Sequence, residues 1–212
     1  MTLSEAARRT GLTRASARRV LLSLVDLGYA EKEDSRFRLR PRVLDIGYAY
    51  LAALGIAHRG QYVLEALTSE TREPCSLSVL DPPDIVYVAR STVPKLATMA
   101  TSIGTRLPAY ATAMGRVLLA GLMPEELDAY FRTATLKRLT PKTIATEPAL
   151  RKVIATVRTQ GFAYIEGELE VGMEVIAVPV RAGGRVVAAV SLYTGRISKS
   201  SVKNTDRIAG RG

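Results

Sequence analysis

"LSEAARRTGLTRASARRVLLSLVDLGYAEKEDSRFRLR", residues 3–40, decides how the N-terminal part of this chain folds. Ser4 to Arg9 forms a brief helix, and Thr10-Gly11-Leu12 turns the chain. Thr13 is placed to cap a second helix, on which Ala17, Val20, Leu21 and Leu24 fall at i, i+3, i+4 and i+7 as one apolar stripe. Gly28 stands where that helix must stop. Tyr29–Glu33 and Arg36–Arg40 then read as two short strands about a polar turn at Asp34-Ser35. Short helix, glycine-containing turn, amphipathic helix and hairpin are the parts of a winged helix-turn-helix.

The same stretch is strongly basic. Between Glu5 and Asp26 it carries five arginines (Arg8, Arg9, Arg14, Arg18, Arg19) and no acid. Arg14, Ser16, Arg18 and Arg19 lie toward the start of the second helix, the part of a recognition helix that reaches base edges in the major groove. Arg36, Arg38 and Arg40 sit on the candidate wing, in reach of the phosphate backbone. Over the whole 212 residues the net charge is +10, but the excess is concentrated at the ends. Lys and Arg outnumber Asp and Glu by 10 to 5 in residues 1–42 and by 5 to 1 in 195–212, while residues 43–194 hold 15 against 14. A basic head on a neutral body suits double-stranded DNA as partner for the head.

Outward from the head, Pro41 fits the first turn of a further helix, with Leu44, Gly47, Leu51 and Leu54 along its inner face. From about His58, helix and strand alternate. Cys75–Leu80 and Ile85–Arg90 read as a hairpin, Thr112–Leu122 and Pro124–Phe131 as helices, and Thr146 as the cap of a helix to Gln160 stopped by Gly161. Ala163–Glu168, Val175–Arg181 and Arg185–Tyr193 read as strands, the last two joined at Gly183-Gly184. Strands outnumber single crossovers, so the expected fold class is α+β, with a mostly antiparallel sheet flanked by helices. The expected divisions are a winged helix-turn-helix at 1–42, a linker helix at 43–57, a ligand-binding domain at 58–195 and a basic tail at 196–212.

Catalytic chemistry finds little support. His58 is the only histidine and Cys75 the only cysteine, and no partner for either is evident. Glu166, Glu168 and Glu170 alternate along an expected strand, which puts them on one solvated face. Arg116 either draws an acid or forms a surface ion pair. No phosphate-binding loop, dinucleotide fingerprint or metal-ligand cluster is present, so no catalytic residue, metal or cofactor is expected. No apolar run approaches bilayer length, and the N-terminus lacks a signal-peptide pattern, so a cytoplasmic protein is expected.

Residues 3–51, "RLPAYATAMGRVLLA" (106–120), "LKRLTPKTI" (136–144) and "GELEVGMEVIAVPVRAGGRVVAAVSL" (167–192) together resemble the IclR family of bacterial regulators. Within it they are most similar to the PcaR/PcaU/PobR group, which controls aromatic-acid catabolism through the β-ketoadipate pathway. The resemblance implies a GAF-like effector-binding domain, a small organic acid as effector, and homodimers that often pair into homotetramers. With the basic second helix and wing, the residues expected to contact DNA are Thr13, Arg14, Ser16, Arg18, Arg19, Arg36 and Arg38. For the effector the resemblance points to Ala113, Met114 and Gly115 at a helix start, Glu168 and Val175 on middle strands, and Ser191 and Tyr193 on the last. The chain departs from the family pattern at both ends. It begins at Met1-Thr2, where family members have a further helix, and residues 196–212 have scant apolar periodicity where the family has a terminal helix. Two other readings stay open: a ligand-binding domain without DNA-binding competence, and a small enzyme acting on an organic acid.

Overall fold

The computed structural model describes residues 1–93 and 102–194. These fall into two units divided between Ile56 and Ala57. In the first, α1 (Leu3–Thr10) is started by a capping box: Thr2 Oγ accepts from the Glu5 amide, and the Glu5 carboxylate accepts from the Thr2 amide. α2 (Arg14–Asp26) starts on Thr13, whose Oγ accepts from the Ser16 amide at 3.2 Å. It ends in a Schellman motif, with Tyr29 N donating to Leu24 O and Gly28 N to Val25 O, both at 2.9 Å. Gly28 takes the left-handed φ of +76° that this stop requires. The Arg42 guanidinium donates to Leu27 O at 2.8 Å and lies over the Tyr29 ring, a cation at the negative end of α2.

β1 (Ala30–Glu33) and β2 (Arg36–Leu39) pair antiparallel as the wing, and Met1 exchanges both backbone hydrogen bonds with Phe37. The core of this unit is built of Phe37 and the alanines Ala6, Ala7, Ala17 and Ala30, of which those on α1 and α2 are small enough to let the two helices approach closely. Two expectations are corrected here. Val20 is 52% exposed. The inward stripe runs through Ala17, Leu21 and Leu24, because the eight-residue α1 covers only a narrow band of α2. On α3 (Val43–Leu54) the expected inner face is not covered either: Leu44 is 70% exposed, Gly47 is exposed and Leu51 is half-buried. α3 is apolar on several sides, with Ile46, Tyr48 and Tyr50 also exposed, so spacing alone singled out a face that the unit leaves open. The side chains of Leu54 and His58 and the tail at 196–212 lie outside the described residues. α3 groups with the winged unit, and Gly55, at φ +59°, separates it from α4 (Ile56–Thr71).

The second unit is a six-stranded sheet. Its strands are β3 (Cys75–Asp81), β4 (Asp84–Ser91), β5 (Arg106–Pro108), β6 (Ala163–Glu166), β7 (Glu174–Ala182) and β8 (Arg185–Tyr193). They lie in the order β5-β4-β3-β8-β7-β6, each antiparallel to its neighbours. Gly183 and Gly184 both have positive φ, which the tight β7–β8 hairpin needs. α5 (Ala113–Ala120) packs against the sheet and α7 (Glu147–Gln160) against α5, and α6 (Pro124–Thr133) shares their core, with Leu119, Tyr130, Leu150 and Ile154 almost fully buried. Thr146 stands at the N-cap of α7, but its side chain makes no capping hydrogen bond. All eight residues of α5 are buried, Arg116 included. β6 is shorter than its expected span. It stops at Glu166, and Gly167, at φ +66°, turns the chain inward, so Glu166, Glu168 and Glu170 do not share a face.

Candidate functional site

The second unit holds a cavity that is partly open to solvent, lined from both the helical layer and the sheet. Thr112, Ala113 and Met114 at the start of α5 form one wall, and Ile165, Leu169 and Met173 form another. Ser76, Tyr87 and Arg90 reach it from β3 and β4, and Val175, Ser191 and Tyr193 from β7 and β8, with Pro74 and Leu107 completing the lining. The wall is mostly apolar, which makes the placement of its few polar groups decisive.

Strand register arranges three of those groups in a row. Ser76 is paired with Arg90 on one side and with Ser191 on the other. Directly paired residues project to the same face of a sheet, so Arg90, Ser76 and Ser191 stand side by side across β4, β3 and β8. Val175 and Tyr193 are likewise paired, two residues along from Ser191 on β8, on the same face. Arg90 is the one cation among the described lining residues, and no carboxylate lines the cavity among them. Burial pushes the Tyr87 phenol above its ordinary pKa, against the pull of the Arg90 charge, so it remains a protonated donor at neutral pH.

The residues nominated from sequence divide accordingly. Ala113, Met114, Val175, Ser191 and Tyr193 come together on the cavity wall. Gly115 and Glu168 do not line it. At Gly115 a Cβ would lie 2.1 Å from Ala109 O, so the absent side chain serves close packing of α5 on the turn before it. Its amide donates to Thr112 Oγ at 3.0 Å, and the Arg116 amide to Thr112 O. Two of the amides in the first turn of α5 are thus already engaged by Thr112. Glu168 is buried and accepts from both Arg116 Nη atoms, at 2.7 and 2.5 Å, and from the Ile144 amide at 3.1 Å. Arg116 thus belongs to a buried ion pair, not to a surface one. Cys75 is fully buried, and its thiol is pushed up to about 11 chiefly by that burial, which leaves it protonated and unreactive.

Sequence reasoning missed Arg90, Ser76 and Tyr87. The available signal is an arginine closing the apolar run "IVYVAR" (85–90), where by sequence alone it marks the end of a strand.

In the first unit Arg14, Arg18, Arg19 and Arg36 are exposed, and no ion pair is found for them among the described residues. Thr13 and Ser16 are engaged with each other in the α2 cap, the hydroxyl of Thr13 donating to Ser16 Oγ at 3.0 Å. Arg38 differs from Arg36: its guanidinium is paired with Glu31 at 3.5 Å and with Glu33. Its neighbours in the wing already pair with it, on a side chain that stays largely exposed. Among the described residues no helix is long and apolar enough to cross a membrane, and no cluster of His, Cys, Asp and Glu could hold a metal ion.

Comparison with known proteins agrees with this anatomy. Residues 48–210 match the model of the bacterial transcriptional regulator IclR C-terminal domain, and residues 1–34 match the IclR helix-turn-helix domain. The first match runs through most of the segment set apart in the sequence as a basic tail. The Pca regulon regulatory protein of Pseudomonas putida is 39% identical over 207 residues, 96% of this chain and 71% of its own length. The p-hydroxybenzoate hydroxylase transcriptional activator of Acinetobacter baylyi is 36% identical over 197 residues, 90% of this chain and 73% of its own. An IclR homologue from Microbacterium hydrocarbonoxydans, solved in complex with 4-hydroxybenzoate, superposes with a TM-score of 0.82 at 27% identity, over 99% of this chain and 88% of that one. A winged helix-turn-helix unit and a cavity-bearing α+β domain on one chain are the build of a ligand-responsive transcriptional regulator. The chain belongs to the IclR family of bacterial transcriptional regulators.

Proposed function

We propose that this regulator senses an aromatic acid or a related metabolite of the β-ketoadipate pathway in the cavity of its C-terminal domain. The observation that carries the reading is the row of Arg90, Ser76 and Ser191 within a mostly apolar wall. A carboxylate lies against Arg90 and the two hydroxyls, with the Ala113 and Met114 amides at the positive end of α5 close by. The ring occupies the apolar space, and Tyr87 or Tyr193 receives a ring substituent. The 4-hydroxybenzoate complex of the Microbacterium homologue and the names of the two relatives support the same ligand class. Thermal unfolding of the full chain with protocatechuate, 4-hydroxybenzoate, β-ketoadipate and short aliphatic acids tests it. One acid is expected to stabilise selectively, by about 2.7 kcal/mol at a hundredfold excess over its Kd; no shift with any acid would overturn the reading. Arg90→Met is expected to weaken binding of that acid about ten- to a hundredfold, the worth of roughly 1.5–3 kcal/mol for hydrogen bonds to a charged group. Isothermal titration calorimetry on the variant reads the change.

The winged unit, residues 1–42, is the DNA reader in this proposal, joined to the effector domain from residue 58 by a linker, residues 43–57, that holds α3. Arg14, Arg18 and Arg19 on α2 meet the major groove, Thr13 and Ser16 set the helix start, and Arg36 holds a phosphate. The exposed apolar face of α3 is the natural contact with a second copy, giving a homodimer or, by further pairing, a homotetramer. Arg38 supports the wing by neutralising Glu31 and Glu33. The two wing arginines are therefore expected to differ in a salt titration of operator binding. Arg36→Ala should lower the magnitude of the salt slope by about 0.9, the value for one phosphate, and Arg38→Ala by less than half of that. Equal losses would put Arg38 on the backbone as well.

A further inference from the structure

We infer that Arg116 and Glu168 are positioning residues for the effector cavity, their buried ion pair fixing its helical wall against its loop wall. The inference rests on the reading of that cavity as the effector site. Neither residue lines the cavity, yet each lies next in sequence to a wall that does. Arg116 follows the Thr112–Met114 segment at the start of α5, and Glu168 precedes Leu169 and Met173 on the loop between β6 and β7.

The loop is held in three ways. Gly167 N donates to Met173 O at 2.7 Å and closes the loop on itself. Thr140 Oγ donates to Gly167 O, and Thr143 Oγ to Glu168 O, each at 2.6 Å, which fastens its start to the turn before α7. The third hold is at Glu168 itself, whose carboxylate takes the bidentate pair from Arg116 and the Ile144 amide at 3.1 Å; Arg116 Nε also donates to Tyr110 O at 3.2 Å. Among the described residues no other hydrogen bond joins this loop to α5. The two side chains are only 3% and 9% exposed, so water does not loosen the contact.

Chemistry explains why an ion pair serves here where apolar packing would not. A guanidinium and a carboxylate meeting through two parallel hydrogen bonds have little freedom to slide or rotate. Methyl groups of the same volume would fill the space while permitting both motions. A buried pair contributes little net stability over well-packed apolar substitutes, so its return is geometric: the two walls are set before the ligand arrives.

The test uses the full chain carrying R116M and E168L together, which removes both charges. Three readouts are compared with the unaltered protein: the thermal midpoint without ligand, amide hydrogen exchange, and the Kd for 4-hydroxybenzoate. The midpoint should stay within a few degrees. Exchange should rise at least tenfold in residues 169–173 and remain unchanged in α7, and the Kd should weaken at least tenfold. Unchanged exchange in 169–173, or an unchanged Kd, overturns the inference. If the double variant does not fold, R116K carries the test: it keeps the charge but loses the fork, and faster exchange confined to 169–173 is again expected, while unaltered exchange overturns the inference. If the unaltered protein binds none of the acids while the exchange result holds, the effector reading fails and the fixing of the loop by this pair stands.

Discussion

Gly115→Ala is expected to be among the most damaging single-methyl additions in the protein. The new Cβ would lie 2.1 Å from Ala109 O and 2.4 Å from Ala109 Cα, so the obstruction is backbone and no side-chain rotation relieves it. The Ala109–Ala111 turn has little room to retreat. The Tyr110 hydroxyl donates to Lys137 O at 2.9 Å and accepts from Lys137 N at 3.1 Å, while Tyr110 O receives Arg116 Nε. α5 is buried along its whole length and cannot move outward without separating from the sheet. Overpacking of this kind typically costs about 1–3 kcal/mol, and a backbone obstruction belongs at the upper end or beyond. At about 3 kcal/mol the thermal midpoint of a chain this size falls by roughly 6–12 °C. Calorimetry of the purified variant reads this directly. A loss under about 1 kcal/mol would mean that α5 and the Ala109 turn can part without penalty.

Arg116→Met alone is expected to be worse than the double variant that also removes Glu168. The single change leaves a carboxylate on a side chain only 9% exposed, with the Ile144 amide as its remaining partner. Breaking a buried pair from one side typically costs about 3–5 kcal/mol because the surviving charge is uncompensated. Adding E168L removes that charge, so the two substitutions should be strongly non-additive in denaturant unfolding. Additive losses would mean that Glu168 is solvated through a path the folded domain does not display.

Much of the local architecture was legible in the chain because local rules govern it. Thr13 caps α2, Gly28 and Gly161 end helices in left-handed conformation, and Gly183-Gly184 makes the tight β7–β8 turn, each where residue chemistry alone placed it. The stripe of Leu150, Val153, Ile154 and Val157 on α7 follows from helical period, and its members are buried or partly so. The misplacements arose where the deciding neighbour is distant. Val20 faces outward because α1 is too short to cover it. Glu168 turns into the core because Gly167 ends β6 early and Arg116, 52 positions away, receives it.

The candidate site divides in the same way. Ala113, Met114, Val175, Ser191 and Tyr193 were nominated through family resemblance, which transmits position without stating which groups meet. Arg90 and Ser76 became visible only once β4, β3 and β8 were laid side by side, since their adjacency with Ser191 spans more than 100 residues of chain. By itself the sequence determined the elements, their caps and turns, and the basic character of the head, because backbone conformation and net charge are set within a few residues. Only the tertiary structure decided which polar groups share the cavity and which charges are buried in pairs, because those outcomes depend on strand register and on long-range packing.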